Sequence, residues 1–134
     1  MDLPEHILRT CNTLAIVGAS RDPQKSAHGV PMSLKRAGFK IVPVNPKVDG
    51  PLFGEVAYPS LSAIPHPVDV VVVFRPSKDV PPIAQEAVAI GAKALWLQLG
   101  ITSLEAKTIA LQAGLLYVED QCTSVVRALY RITK

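Results

Sequence analysis

The sequence is poor in most of the features that announce a function. It has two cysteines in 134 residues, Cys11 and Cys122, far apart and outside any CxxC spacing. The opening "MDLPEHILRTCN" has no basic region followed by an apolar stretch, so no secretory signal is visible. Two unpaired thiols without such a signal point to a reducing cytoplasm. No apolar run approaches the length of a membrane span. Aromatic residues make up 5%, and the lysines and arginines behind the net charge of +3 are spread along the chain. A nucleic-acid binder would carry a dense basic stripe or stacking aromatics. No repeat of 20 to 50 residues is present. No paired carboxylates, no Ser-His-Asp set and no metal-ligand cluster stand where the strands end, so neither catalytic residues nor a metal site are expected.

What is present is an apolar chain, 49% hydrophobic and 19% charged, of a length that fits one domain over residues 1–134. Short apolar runs alternate with amphipathic stretches, the pattern of a parallel sheet with helices on both faces. The runs are "TLAIVGA" (13–19), "FKIVPV" (39–44), "PVDVVVVF" (67–74), "KALWLQL" (93–99) and "LLYVE" (115–119). Helices are predicted near 28–37, over 77–91 with its prolines in the first turn, over 102–114 and over 123–132. The third opens on a capping box of Thr102 and Glu105 and closes at Gly114. The last places Val125, Leu129 and Ile132 on one face. Residues 45–66 form a long loop with one short helical turn, and loops of that length are usually functional. Five parallel strands with right-handed crossovers give a Rossmann-like, doubly wound α/β fold, expected in the order 3-2-1-4-5. On that order the ligand crevice lies between strands one and four, beyond their carboxyl ends.

The strand ends carry the candidate site. After strand one comes "GASRDPQKSAHG". Gly18 allows a close turn, Ser20 offers a hydroxyl, and the amides at the start of the next helix form an anion site, with Lys25 and His28 adding positive charge. The G-x-G-x-x-G of a dehydrogenase is missing, because residues 18–23 read Gly-Ala-Ser-Arg-Asp-Pro. After strand two comes "VNPK": no acid stands there to hold a ribose diol, and Lys47 is a point charge suited to phosphate or a plain surface lysine. After strand three comes "FRPS", where Pro76 leaves carbonyls and an apolar wall fit to border an adenine and Arg75 reaches phosphate or solvent. After strand four, Gln98 is a ligand contact or a satisfied buried amide.

The succession "IVGAS", "VPVNPK" and "VVVVFRPSKDVPPIAQEAVAIGAKALWLQLG" resembles the CoA-binding domain of the succinyl-CoA synthetase alpha-subunit superfamily, and within it the small stand-alone CoA-binding proteins, over residues 12–122. The resemblance implies coenzyme A or an acyl-CoA as ligand. It implies Gly18, Ala19 and Ser20 along the pyrophosphate, Val44 and Lys47 at the adenosine end, Phe74, Arg75 and Pro76 beside the adenine, and Leu97, Gln98 and Leu99 near the pantetheine arm. The ligases carry a further domain with a phosphorylated histidine, which this chain ends without; His6, His28 and His66 have no acid or base partner in the pattern. The expectation is therefore a cytoplasmic binding protein without chemistry of its own, a monomer or small homo-oligomer. Two alternatives are an NADP-dependent enzyme, with Lys47 on the 2′-phosphate, and a ligase subunit completed by a partner chain.

Overall fold

The apolar runs become one parallel sheet. In the computed structural model, which describes residues 1–134, the strands are β1 (Thr13–Val17), β2 (Lys40–Val44), β3 (Val70–Val73), β4 (Ala94–Leu97) and β5 (Leu116–Val118). Helices α1 (Leu3–Thr10), α2 (Ser26–Arg36) and α5 (Thr123–Leu129) cover one face through Ile7, Leu8, Leu34 and Val126. Helices α3 (Val80–Ala89) and α4 (Leu104–Gln112) cover the other through Val80, Ala84, Ala87, Ala106 and Ala110. Successive strand residues point to opposite faces. Val70 and Val72 therefore enter the first core and Val71 and Val73 the second, all four fully buried. The fold is the expected Rossmann-like, doubly wound one.

The order of the strands is 2-1-3-4-5 and not the expected 3-2-1-4-5: β3 lies between β1 and β4, and β2 is an edge. Pro43 gives the reason. A proline has no N–H for a ladder and is confined to edges, strand starts or bulges. Pro43 stands in the middle of β2, and its carbonyl, turned away from β1, accepts the N–H of Tyr58 at 3.0 Å. The all-valine strand is the one that two helical layers can bury, and it takes the centre. The reversal of direction thus falls between β1 and β3.

Other expectations shift locally. Helix α4 is capped by Ser103, whose Oγ accepts from the Ala106 N–H at 3.1 Å, and not by Thr102, whose N–H bonds Ser77 Oγ at 3.2 Å. On α5 the inward residue is Val126; Ile132 beyond it is also buried, while Val125 and Leu129 are 65% and 70% exposed. A further helix of about two turns stands outside the expected set: α1 starts at Leu3–Pro4, where the missing amide does no harm, and drives Ile7 and Leu8 into the core. No helix is long and apolar enough to cross a membrane.

At the amino-terminal end of the sheet one carboxylate ties three strands together. Asp69 Oδ2 accepts the N–H groups of Asn12 and Thr13 at 2.9 and 3.0 Å, and Oδ1 pairs with Lys93 Nζ at 3.3 Å. Its own carbonyl accepts the amides of Lys93 and Ala94. Partial burial works against ionisation, but the two N–H groups and Lys93 outweigh it and hold the carboxyl below its ordinary range. The single tryptophan, Trp96, is fully buried on the α1/α2/α5 face and donates its indole N–H to the Gln121 carbonyl at 2.7 Å.

Candidate functional site

At the carboxyl end of the sheet a crevice of about 480 Å3 opens beside β1, β2 and β3, on the α3 side. Val17 and Gly18 form its floor where β1 ends, and Val44, Asn45, Pro46 and Lys47 its side where β2 ends. The opposite wall is α3 and the 3-10 turn before it (Ser77–Asp79), which present Asp79, Pro82, Ile83 and Glu86. Those four stand at i, i+3, i+4 and i+7, one face of a helix. The long loop supplies the last wall with Pro59, Ser60 and Leu61, at the short 3-10 turn Leu61–Ala63.

Gly18 is required by its backbone. It has φ +89°, and a Cβ there would meet the Phe74 carbonyl oxygen at 3.2 Å and Arg75 Cδ at 3.2 Å. Only glycine allows strand β1 to turn that close to the end of β3. The chain then runs into the β1–α2 loop, on the other face. There Ser20 accepts the Asp22 N–H on its hydroxyl at 3.1 Å and the His28 Nδ1–H on its carbonyl at 2.8 Å. The His28 ring also packs edge-on against Phe53. Helix α2 opens at Lys25 with no capping side chain and no acid in its first turn, so its amino-terminal end keeps its partial positive charge.

Charge in the crevice is uneven. Arg75 pairs with Asp79 at 2.9 Å. Lys47 and Lys78 also line it, and neither has a carboxylate within ion-pair distance. Glu86 accepts the Leu61 N–H on Oε1 at 2.5 Å. Its Oε2 has no hydrogen-bond partner in the fold. No group of three or more His, Cys, Asp or Glu side chains is placed to hold a metal ion.

The sequence-derived candidates therefore divide. Gly18, Val44, Lys47 and Arg75 line the crevice. Ala19, Ser20, Lys25 and His28 belong to the β1–α2 loop; Ala19 is fully buried, and its carbonyl accepts from Asn45 Nδ2 at 2.9 Å, which ties that loop to the end of β2. Phe74 points to the opposite core, and Pro76 is exposed outside the crevice. Leu97 is core, and Leu99 is 71% exposed. Gln98 is buried, its Oε1 accepting from the N–H and hydroxyl of Thr123 at 3.0 and 2.9 Å, so its amide oxygen serves the fold. Lys78, Glu86 and the Pro59–Leu61 turn are additions that the strand-end rule passes over. Glu86 sits on a helix face legible from its spacing and Lys78 in the 3-10 turn before that helix, whereas the Pro59–Leu61 turn is brought in by a contact 25 residues distant in sequence.

Known proteins share this architecture. The Bacillus subtilis protein YneT is 35% identical over 125 residues, covering 93% of this chain and 92% of its own length. An ADP-forming acetate–CoA ligase of Archaeoglobus fulgidus is 37% identical over 83 residues, 60% of this chain but 12% of the ligase. A solved structure from Thermus thermophilus superposes with a TM-score of 0.90 at 36% identity, covering 96% of this chain and 98% of that one. The family model described as the CoA binding domain matches residues 12–128, a span that holds all five strands, the β1–α2 loop and every residue of the crevice. The chain belongs to the CoA binding domain family.

Proposed function

We propose that this protein binds coenzyme A, free or as an acyl-CoA, at the carboxyl ends of β1, β2 and β3, and catalyses no reaction of its own. The observation that carries the reading is the pair of unpaired lysines, Lys47 and Lys78, in a crevice floored by Gly18. A ligand with a pyrophosphate and a further ribose phosphate answers both features. The pyrophosphate lies along Gly18 and the start of α2, where backbone amides and the helix dipole favour an anion. The ribose phosphate faces Lys47, a compact charge on a flexible stem. Lys25 and His28 add positive charge at the loop, and the pantetheine arm runs along the crest towards β4. The protein works in the cytoplasm, as a monomer or small homo-oligomer.

Calorimetric titration with CoA, dephospho-CoA and NADP tests this. CoA binds more tightly than dephospho-CoA, and Lys47→Ala removes most of that preference. A charge-assisted contact of about 1.5–3 kcal/mol corresponds to a loss of roughly ten- to a hundredfold in affinity. The loss shrinks at high salt, because Lys47 is exposed. Equal affinity for CoA and dephospho-CoA removes Lys47 from the site. Tighter binding of NADP overturns the assignment in favour of a dinucleotide enzyme. The likeness to part of an acetate–CoA ligase supports a second reading, a CoA-binding subunit completed by a partner chain. Acyl-CoA formation from acetate, ATP and CoA only when a co-purified partner is present would establish it.

A further inference from the structure

The crevice is electrically two-ended. Arg75, Lys78 and Asp79 mark the amino-terminal end of the α3 wall, and Glu86 lies seven residues beyond Asp79, roughly 10 Å along the axis. Cations belong beside phosphates, so the carboxylate end needs a different part of the ligand. Around it the lining is apolar on both sides, Pro82 and Ile83 from α3 and Pro59 and Leu61 from the loop, as a flat ring requires. Glu86 itself is fixed. The Leu61 N–H holds Oε1 at 2.5 Å, Oε2 is free, and no cation neutralises the group.

We infer that Glu86 determines which base the crevice accepts, taking a purine with a 6-amino group through an N6–H donated to Oε2. The inference rests on the nucleotide reading above and deepens it. A carboxylate only accepts hydrogen bonds. It meets a 6-amino group as a donor and a 6-oxo group as another acceptor, which repels it. A 6-oxo purine carries its nearest donor at the ring N1–H, one atom removed from the position that the N6–H of adenine takes on Oε2. The pinned geometry therefore favours adenine over hypoxanthine and guanine. Replacing Glu86 by Gln keeps the shape and lets Oε1 go on accepting from Leu61. An amide N–H2 then stands where Oε2 was, and the selection rule changes sign.

The test is calorimetric, with CoA and its deaminated 6-oxo analogue as probes on the full chain. Wild type binds CoA ten- to a hundredfold more tightly than the 6-oxo form. Glu86→Gln narrows that ratio to near one or inverts it, and Glu86→Ala abolishes it without inversion. If wild type binds both forms equally, or if Glu86→Gln keeps the full preference, the inference fails while the CoA reading stands. If wild type binds neither form, both fail. The wild-type comparison needs no variant to fold.

Discussion

The two ends of the sheet use charge in opposite ways. At the amino-terminal end Asp69, just before β3, is engaged on both oxygens and on its carbonyl by the starts of β1 and β4 and by the Lys93 ammonium. At the carboxyl-terminal end Lys47, Lys78 and one oxygen of Glu86 face open space without a partner. The difference separates groups that hold the fold from groups that, on the proposed function, are left for a ligand. It also follows from chain direction: in a parallel sheet every strand hands over to its crossover at the carboxyl end, and the crevice of an open α/β sheet lies there.

Substitutions sharpen the contrast, beginning with the strand on which both ends depend. Val71→Asp places an unpaired charge in a fully buried position of β3 and costs several kcal/mol, a large part of the stability of a small domain. Loss of the cooperative thermal transition is the expected result, and a folded variant would contradict the double-sided burial. Next comes Asp69→Asn, which weakens the ties to Asn12, Thr13 and Lys93 and costs about 1–3 kcal/mol at neutral pH. The carboxyl of Asp69 titrates lower in the fold than in the unfolded chain. As pH falls, the unfolded chain takes up that proton first, so the stability Asp69 provides above pH about 4 drains away below it. Denaturation curves from pH 7 to 3 should therefore fall more steeply for wild type than for Asp69→Asn. Equal slopes would show that Asp69 is not linked to folding.

Gly18→Ala is smaller, about 1–2 kcal/mol, from the positive φ and the contact with the Phe74 carbonyl. It straddles the comparison, since it should lower both the melting temperature and the affinity. Lys78→Ala has the smallest effect, within about 0.5 kcal/mol of wild type in stability. If removing Lys78 or Lys47 unfolded the protein as readily as removing Asp69, the division between the two ends would be false.

How much of this was legible in the sequence depended on the range of the interaction. Apolar runs as uniform as Val70–Val73 can only be buried strands, and Gly18, Val44, Lys47 and Arg75 follow from the rule that ligands gather at strand ends. The strand order was also written there, in Pro43, but its force appears only when each neighbour of β2 is asked where the proline faces. Ser103 and Thr102 are adjacent hydroxyls, and one residue of phase decides which caps α4. The face of α5 went astray because its helix is short and ends at Leu129, so Ile132 is buried by the chain beyond it. Glu86 and Leu61 meet through tertiary packing, and nothing local to either announces the other.

Trp96 gives the molecule a built-in optical probe. Its ring is dry and on the α1/α2/α5 face, whereas the crevice opens on the α3 side of the same sheet. Emission should be blue in the folded protein and shift to the red when the sheet melts, as water reaches the indole. A base seated between α3 and the Pro59–Leu61 turn should leave the wavelength where it is, because the sheet lies between that part of the crevice and the indole. One fluorophore therefore follows unfolding in every variant above.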